Sequence, residues 1–385
     1  MIGLLIVIYI VFISLGLPDS LFGVSWPVIH LQFGLPESFA ALFSVVIGLC
    51  TSGVSFVAGK LIRRFGTGKV TLVSILLTVV GLLGISASSN LWMMMAFSIL
   101  MGYGAGAIDT GLNNYVSLHY KAHHMNWLHC FWGVGVTASP MIMSAFLGGG
   151  GNSWRNGYVA VACIELAIAM LVLFTLSKWR GDGSVQEEKK ASDKSFFQLI
   201  KYKGLLTSIL SLGFYCAGES LIGTWGATYA VNALHLLPET AAKWVSLYYG
   251  GIMVSRVVAG FASMKVGDNW LIRGGMLLSA LGMGVLALPI GEMSLVGLFL
   301  IGFGYGPVFP SVLHSVPARF GSTYSADITG YHMGTAYFIG LSVQVLFGLV
   351  ATAVGFGIMP FVLLGVCGLV LLANELTVKA TGVRN

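Results

Sequence analysis

Twelve apolar stretches follow one another along this chain, and each is long enough to cross about 30 Å of hydrocarbon. They lie at roughly 2–25, 38–58, 70–89, 91–117, 127–149, 157–179, 204–231, 240–262, 271–290, 293–316, 326–353 and 357–376. Charged residues make up only 9% of the chain, against about 25% in soluble proteins. Because lipid offers the backbone no hydrogen-bond partners, such spans must be helical. We therefore predict an all-α integral membrane protein with twelve transmembrane helices.

The positive charges favour one side of the membrane. Of the 20 Lys and Arg residues, all but Arg155, Lys243 and Arg256 fall on the side that carries both ends of the chain. Cytoplasmic loops are enriched in Lys and Arg. We therefore expect a multi-pass protein of the cell inner membrane with both termini in the cytoplasm. The first stretch has no basic leader, so we interpret it as a span and not as a signal peptide.

Two polar connections organise the chain. Basic residues at 60–69 predict a loop between the second and third spans. A longer charged stretch separates the first six spans from the last six. We predict an N-terminal six-helix bundle at 1–179, a cytoplasmic linker at 180–203 and a C-terminal six-helix bundle at 204–385.

Short motifs recur in the two halves. Asp19–Gly23 (DSLFG) returns as Glu219–Gly223 (ESLIG), and a tryptophan follows each copy. The pattern Gly-x-Gly-x-Gly at 102–106 returns at 302–306. The two bundles should therefore be pseudo-symmetric, and each carries an acid in its first span. Tandem halves with charges inside the membrane are typical of transporters.

Three acids within spans are candidates for exchanging a proton: Asp19, Asp109 and Glu219. A carboxylate at the centre of a membrane helix costs about 2.5–3.5 kcal/mol on insertion scales, so each needs a reason. Asp19 could instead reach water at the outer end of its span. Asp109 could join a gate at the cytoplasmic mouth, and Glu219 could be a core residue bonded to a neighbouring helix.

Polar and aromatic side chains near these acids are candidates for substrate binding. Amide, imidazole, phenol and indole groups offer donors, acceptors and stacking faces to a hydroxyl-rich ligand. The candidates are Asn113, Asn126, His129, Trp132, Tyr215, Trp225, Tyr229, His314, His332 and Gln344. The alternatives are that the span 4 and 5 residues close a cytoplasmic gate and that the two later histidines are structural.

Three arginines near the cytoplasmic ends of spans 2 and 8 are candidate gating residues: Arg63, Arg64 and Arg256. The five cysteines lie in apolar stretches without ligand spacing, so we expect neither disulfides nor a metal. No nucleophile–base set or phosphate loop is present, which argues against an enzyme and against a cofactor. The basic charge lies in short loops and does not indicate nucleic-acid binding.

The basic stretch after span 2 resembles the hallmark loop of the major facilitator superfamily, G-x-x-x-D-R-x-G-R-R/K. It runs from Gly59 to Lys69, with Arg63 where the family has Asp. The resemblance implies twelve helices in two six-helix bundles, the major facilitator fold. The departure at Arg63 puts in question the charge relay that locks the inward gate in that family.

Spans 4 and 5 resemble the fucose permease branch of sugar–proton symporters. The branch's G-x-x-E-T-x-x-N is matched by Gly106–Asn113, with Asp109 for Glu. Its N-x-x-Q-x-F is similar to Asn126–Phe131, with His129 for Gln. The resemblance implies that Asp109 is the sugar-contacting or proton-linked acid. In span 1 the branch's N-D-x-x-x-P has its proline here, but Gly23 stands at the Asp position, and Asp19 one turn earlier could replace it.

These features favour a monomeric, proton-coupled symporter of a monosaccharide or similar polar molecule that works by alternating access. One alternative is a proton-antiporting exporter of drug-like or metabolic amphiphiles. Its superfamily signature is Gly-Pro in span 5, where this chain has Ser139 and Pro140. A sodium-coupled sugar symporter is a second alternative. A non-transporting membrane sensor is a third, for which we expect an added soluble domain.

Overall fold

The computed structural model describes residues 2–35, 39–147, 154–179, 194–236, 238–288 and 293–383. Twelve long helices run through these ranges, and the first six are α1 Ile2–Gln32, α2 Ala40–Phe65, α3 Thr67–Ala87, α4 Leu91–His119, α5 Ala122–Leu147 and α6 Trp154–Thr175. The next five are α7 Leu205–Asn232, α8 Pro238–Ala262, α9 Asp268–Ala287, α10 Met293–Tyr305 with its continuation Val308–His314, and α11 Ser325–Val354. The last is α12, Met359–Thr381.

The twelve predicted spans are confirmed as twelve long helices, and the described ranges contain no β-strand. Over the residues that the structure describes, eleven of the helices are long and apolar enough to cross a membrane. Because a helix satisfies its own backbone hydrogen bonds, few backbone polar groups of these spans would lack a partner in lipid.

The predicted loop at 60–69 is wrong, because most of it is helical. Helix α2 continues to Phe65 and α3 begins at Thr67, so that Gly66 alone separates them. Gly66 has φ +84°, a backbone conformation that glycine adopts at no steric cost, and its N–H bonds the carbonyl oxygen of Ile62. A single residue therefore reverses the chain, and the basic side chains lie on helix ends.

Contacts divide the chain into two compact units, Met1–Tyr115 with Leu128–Ala191 and Val116–Trp127 with Ser192–Asn385. In the first unit α6 packs on α1 and α3. In the second, α7 packs on α8, α11 and α12, and α10 packs on α8 and α9. The linker prediction lies mostly outside the described residues. Its end contains a one-turn helix, Phe196–Leu199, capped by Ser195.

The repeated glycine pattern has the same packing role in each unit. A Cβ at Gly106 would lie 2.5 Å from the carbonyl oxygen of Thr51, so α4 approaches α2 at backbone distance. A Cβ at Gly302 would lie 2.0 Å from the carbonyl oxygen of Tyr248, so α10 approaches α8 in the same way. Small residues at helix interfaces allow such contacts in membranes, where no hydrophobic force drives helices together.

Candidate functional site

Asp19 lies near the middle of α1. It is 17 residues after the start of the helix, or about 26 Å along the axis. Helix α1 extends to Gln32, beyond the predicted span end, so Asp19 is further from the helix end than the sequence indicated. The indole N–H of Trp132 in α5 donates a 2.8 Å hydrogen bond to the Asp19 carboxylate. Because Asp19 is exposed, its carboxylate is bound by a neutral donor and is still open to proton exchange.

Asp109 begins a buried polar chain in the same unit. The amide nitrogen of Asn113 donates to the Asp109 carboxylate at 2.7 Å, one helical turn away on α4. The Asn113 amide oxygen lies 3.1 Å from Nε2 of His129 in α5, so Nε2 must carry the proton and donate. Asp109, Asn113 and His129 are all buried, with exposures of 7%, 0% and 6%. Their hydrogen bonds join α4 to α5.

Two of the predicted acids therefore lie in one unit: Asp19 bonds Trp132 of α5 directly, and Asp109 is linked to His129 of α5 through Asn113. The rings of His129 and of Phe12 in α1 are perpendicular, with their centroids 5.3 Å apart, so α1, α4 and α5 converge here. Such an arrangement can hold a proton on a carboxylate and offer amide and imidazole groups to a polar ligand. Asn126 is grouped with the other unit, where it is fully buried and donates to the Ala122 carbonyl oxygen.

In the second unit Glu219 pairs with Arg256. Their side chains approach to 3.9 Å between Nη2 of Arg256 and Oε1 of Glu219. Arg256 is 4% exposed, so the ion pair that it forms with Glu219 of α7 is buried on the arginine side. Sequence reasoning predicted a gating role and missed this pair. The available signal was two opposite charges within neighbouring apolar spans.

Tyrosines surround the Glu219 carboxylate. Tyr215 lies one turn before it, and Tyr215, Tyr248 and Tyr305 are fully buried. The Tyr215 and Tyr305 rings are 5.2 Å apart, and those of Tyr248 and Tyr305 are 6.4 Å apart. Tyr215 was a predicted site residue, whereas Tyr248 and Tyr305 were missed because nothing in their local sequence places them beside α7.

The remaining α7 candidates have partners on other helices. The Trp225 indole N–H donates to the Gln344 carbonyl oxygen at 2.8 Å. The Gln344 side chain accepts from Thr224 at 2.7 Å in an exposed position. Tyr229 donates to the carbonyl oxygen of Leu286 at 3.1 Å. None of these bonds involves Glu219, so these side chains tie α7 to α9 and α11.

The two later histidines bond protein groups. His332 is fully buried; its Nδ1–H donates to the Ile328 carbonyl oxygen, and its Nε2 accepts from the Ser208 hydroxyl, each at 2.8 Å. One neutral tautomer satisfies both contacts, which is a structural role. Nδ1 of His314 lies 2.7 Å from the Asp268 carboxylate at the start of α9. The structure does not bring either histidine into contact with Glu219.

The predicted gating arginines of α2 differ in exposure. Arg63 is buried at 8%, whereas Arg64 is exposed and its guanidinium lies 5.3 Å from the centre of the neighbouring Phe65 ring. Both lie in the last turn of α2, where a positive charge complements the helix dipole. Among the described residues no group of three or more His, Cys, Asp or Glu side chains could hold a metal ion.

A family model described as Major Facilitator Superfamily matches residues 8–345. The chain belongs to this superfamily. Among curated proteins, the glucose/mannose transporter GlcP of Bacillus subtilis is 23% identical over 312 residues, covering 77% of this chain and 75% of that protein. A putative glucose/galactose transporter of Helicobacter pylori is 23% identical over 231 residues, covering 55% of each chain. The predicted family is thus confirmed, and this superfamily member is a transporter and not an enzyme.

Solved structures show the same fold. The Escherichia coli fucose:proton symporter FucP superposes with a TM-score of 0.83 at 14% identity, over 97% of this chain and 98% of that chain. The proton:xylose symporter XylE superposes with a TM-score of 0.80 at 13% identity, over 97% and 94%. At these identities the likeness shows the fold alone. The predicted major facilitator fold is confirmed, and the chain is a multi-pass membrane protein.

Proposed function

We propose that this transporter is a proton-coupled symporter of a monosaccharide or a related polyol, working by alternating access. The Asp19–Trp132 contact carries the proposal, because a carboxylate near the middle of a long apolar helix is bound by an indole N–H and is open to exchange. The names of similar proteins support the substrate class, since they refer to glucose, mannose, galactose, fucose and xylose. Two of the similar structures are named as proton symporters.

The coupling follows from the cost of burying charge. Removing water from a carboxylate is unfavourable unless the group is protonated or paired. A proton on Asp19 therefore lowers the cost of closing the transporter around its substrate. A neutral sugar supplies no charge of its own, so the proton gives the electrical bias that drives accumulation. The sugar shifts the equilibrium between the open and closed states of the transporter only by the difference between its affinities for these two states.

The polar chain on α4 and α5 supplies the hydroxyl recognition in this proposal. Asn113 donates to Asp109 and accepts from His129, so a ligand hydroxyl could replace either contact without leaving a buried group unpaired. Trp132 adds an apolar ring face beside the Asp19 carboxylate. Donors, acceptors and a flat apolar surface together match the two faces of a pyranose.

Uptake into proteoliposomes tests the function. The panel is D-glucose, D-mannose, D-galactose, L-fucose and D-xylose, each with an inward pH gradient, an inward sodium gradient or neither. We expect accumulation of at least one sugar with the pH gradient only. In Asp19→Asn, accumulation should be lost while exchange of labelled for unlabelled sugar continues at equal pH. Accumulation driven by sodium alone, or no exchange of any sugar, would contradict the proposal.

We also propose that the protein acts as a monomer in the cell inner membrane with both termini in the cytoplasm. The Lys and Arg distribution supports this orientation. In spheroplasts, a membrane-impermeant thiol reagent should fail to label a cysteine placed at Thr381 until the cells are permeabilised. Labelling of intact spheroplasts would reverse the orientation.

A further inference from the structure

We propose that Glu219 is a permanently charged acceptor for substrate hydroxyls and that Arg256 is its positioning residue, held by a backbone carbonyl that Pro310 leaves free. The inference rests on the proposed function, since it concerns recognition of the same polyhydroxyl substrate. It assigns the proton to an acid other than Glu219.

The ion pair argues against Glu219 as the proton carrier. Arg256 approaches its carboxylate to 3.9 Å, and their side chains are 5% and 22% exposed. Protonating Glu219 would leave the Arg256 charge buried without its partner, which is costly. Asp19 is bound by an indole N–H instead, so its protonation strands no cation. Glu219 is therefore suited to stay charged throughout a transport cycle.

Arg256 is held in place by α10. In a continuous helix the carbonyl oxygen of Gly306 would accept from the N–H of residue 310, but residue 310 is proline and has none. Nε of Arg256 lies 3.4 Å from this oxygen and donates to it. The guanidinium thus uses Nε for α10 and Nη2 for Glu219 of α7. A proline in one helix sets the position of an arginine in a second and of a carboxylate in a third.

The surroundings of Glu219 fit a polyhydroxyl ligand. The residue lies 14 positions after Leu205, at the middle of α7, and its side chain keeps 22% of its surface exposed. Charged groups at such depth face a watery space and not lipid. The buried hydroxyls of Tyr248 and Tyr305 have no hydrogen-bond partner among the described groups. The hydroxyls of a bound polyol, with the water around it, would supply hydrogen-bond partners for the Glu219 carboxylate and the tyrosine hydroxyls. Such a ligand needs no charge of its own.

Sugar exchange with single-position analogues tests the role of Glu219. The measurement is competition of monodeoxy analogues against D-glucose in counterflow at equal pH on both sides; if glucose is not exchanged, the fastest sugar of the panel and its analogues replace it. In the wild type, at least one analogue should bind about 10–150-fold more weakly, as expected for loss of a hydrogen bond to a charged group. Glu219→Gln should lose a similar factor for the parent sugar and no longer discriminate that analogue. At saturating sugar its remaining accumulation should still depend on the pH gradient.

Two proline variants test the positioning role. Pro310→Ala restores the N–H that competes with Arg256 for the Gly306 carbonyl oxygen, so the KM should rise several-fold with little change in kcat. Pro307→Ala is the matched control, because its N–H would bond the carbonyl oxygen of Phe303 instead. It should leave the KM unchanged. Equal changes in both variants would overturn the role of Pro310 and Arg256.

The outcomes separate the inference from the proposed function. Failure of the wild-type protein to exchange any sugar of the panel would overturn the proposed function, and this inference with it. Wild-type exchange together with unchanged affinity in Glu219→Gln would overturn only the inference. Loss of pH-driven accumulation in Glu219→Gln with normal sugar affinity would make Glu219 the proton carrier and would also overturn it.

Discussion

A single methyl group at Gly135 should break the contact between Asp19 and Trp132. A Cβ at this position of α5 would lie 2.1 Å from the carbonyl oxygen of Ile13 in α1. Ordinary van der Waals contact begins at 3.4 Å, so the two helices must separate by the difference between these distances, about 1.3 Å. Trp132 lies one turn from Gly135. The 2.8 Å bond from Trp132 to Asp19 would then lengthen to about 4.1 Å, beyond hydrogen-bond range.

The expected loss follows from the charge on the acceptor. A hydrogen bond to an ionised group is worth about 1.5–3 kcal/mol, or roughly 10–150-fold in an equilibrium. Overpacking adds about 1–3 kcal/mol of lost stability. We therefore expect Gly135→Ala to reduce the initial rate of pH-driven uptake of the fastest sugar of the panel at least tenfold and to lower the melting temperature in detergent. The measurements are proteoliposome uptake and a thermal-shift assay on the same preparation.

Two further variants separate the bond from the packing. Trp132→Phe removes the donor while it keeps an aromatic ring, so it should reproduce the loss of pH-driven uptake with a smaller change in melting temperature. Gly3→Ala is the control in the same helix as Asp19, because a Cβ there has nothing within 4 Å. It should transport like the wild type. Normal pH-driven uptake in either Gly135→Ala or Trp132→Phe would refute the reasoning.

Three other variants test neighbouring assignments. Asp109→Asn removes a carboxyl group that could carry a proton but keeps an oxygen acceptor in the α4–α5 chain. We therefore expect it to abolish pH-driven uptake and to leave counterflow exchange. Retained pH-driven uptake would exclude Asp109 from coupling. Ser208→Ala removes the donor to buried His332, which should cost about 1–3 kcal/mol of stability; a change in KM without destabilisation would make His332 a ligand instead. Glu375→Gln breaks the pair with Arg273; the Arg273 side chain is 27% exposed and the Glu375 side chain 47%. The free energy of unfolding, followed by the melting temperature, should fall by no more than an exposed ion pair contributes, about 1 kcal/mol.

The helices were predictable from the sequence because each depends only on its own apolar run. The polar chain of α4 was partly predictable for a similar reason. Asp109 and Asn113 are four residues apart on one helix, and the structure shows them bonded at 2.7 Å. The turn at Gly66 was not predicted, because basic residues resemble a loop in composition while a positive φ at one glycine suffices to reverse the chain.

Contacts between helices were the part that the sequence did not give. Glu219 and Arg256 lie 37 positions apart on different helices, so only their packing shows that they pair. His332 resembled a cavity residue until Ser208, 124 positions away, was found to be its partner. A spacing rule reaches one or two helical turns, whereas such pairs depend on which faces of two helices meet.

The two halves answer the cost of a buried acid in different ways. In the first unit Asp19 is bound by a neutral indole N–H, so its protonation leaves no charge behind. In the second unit Glu219, at the repeated motif position, is balanced by Arg256. A duplicated sequence would begin with equivalent acids, and an arginine in one half makes them chemically different. Under the proposed function, one half can then load and release a proton while the other keeps a constant charge for recognising hydroxyls.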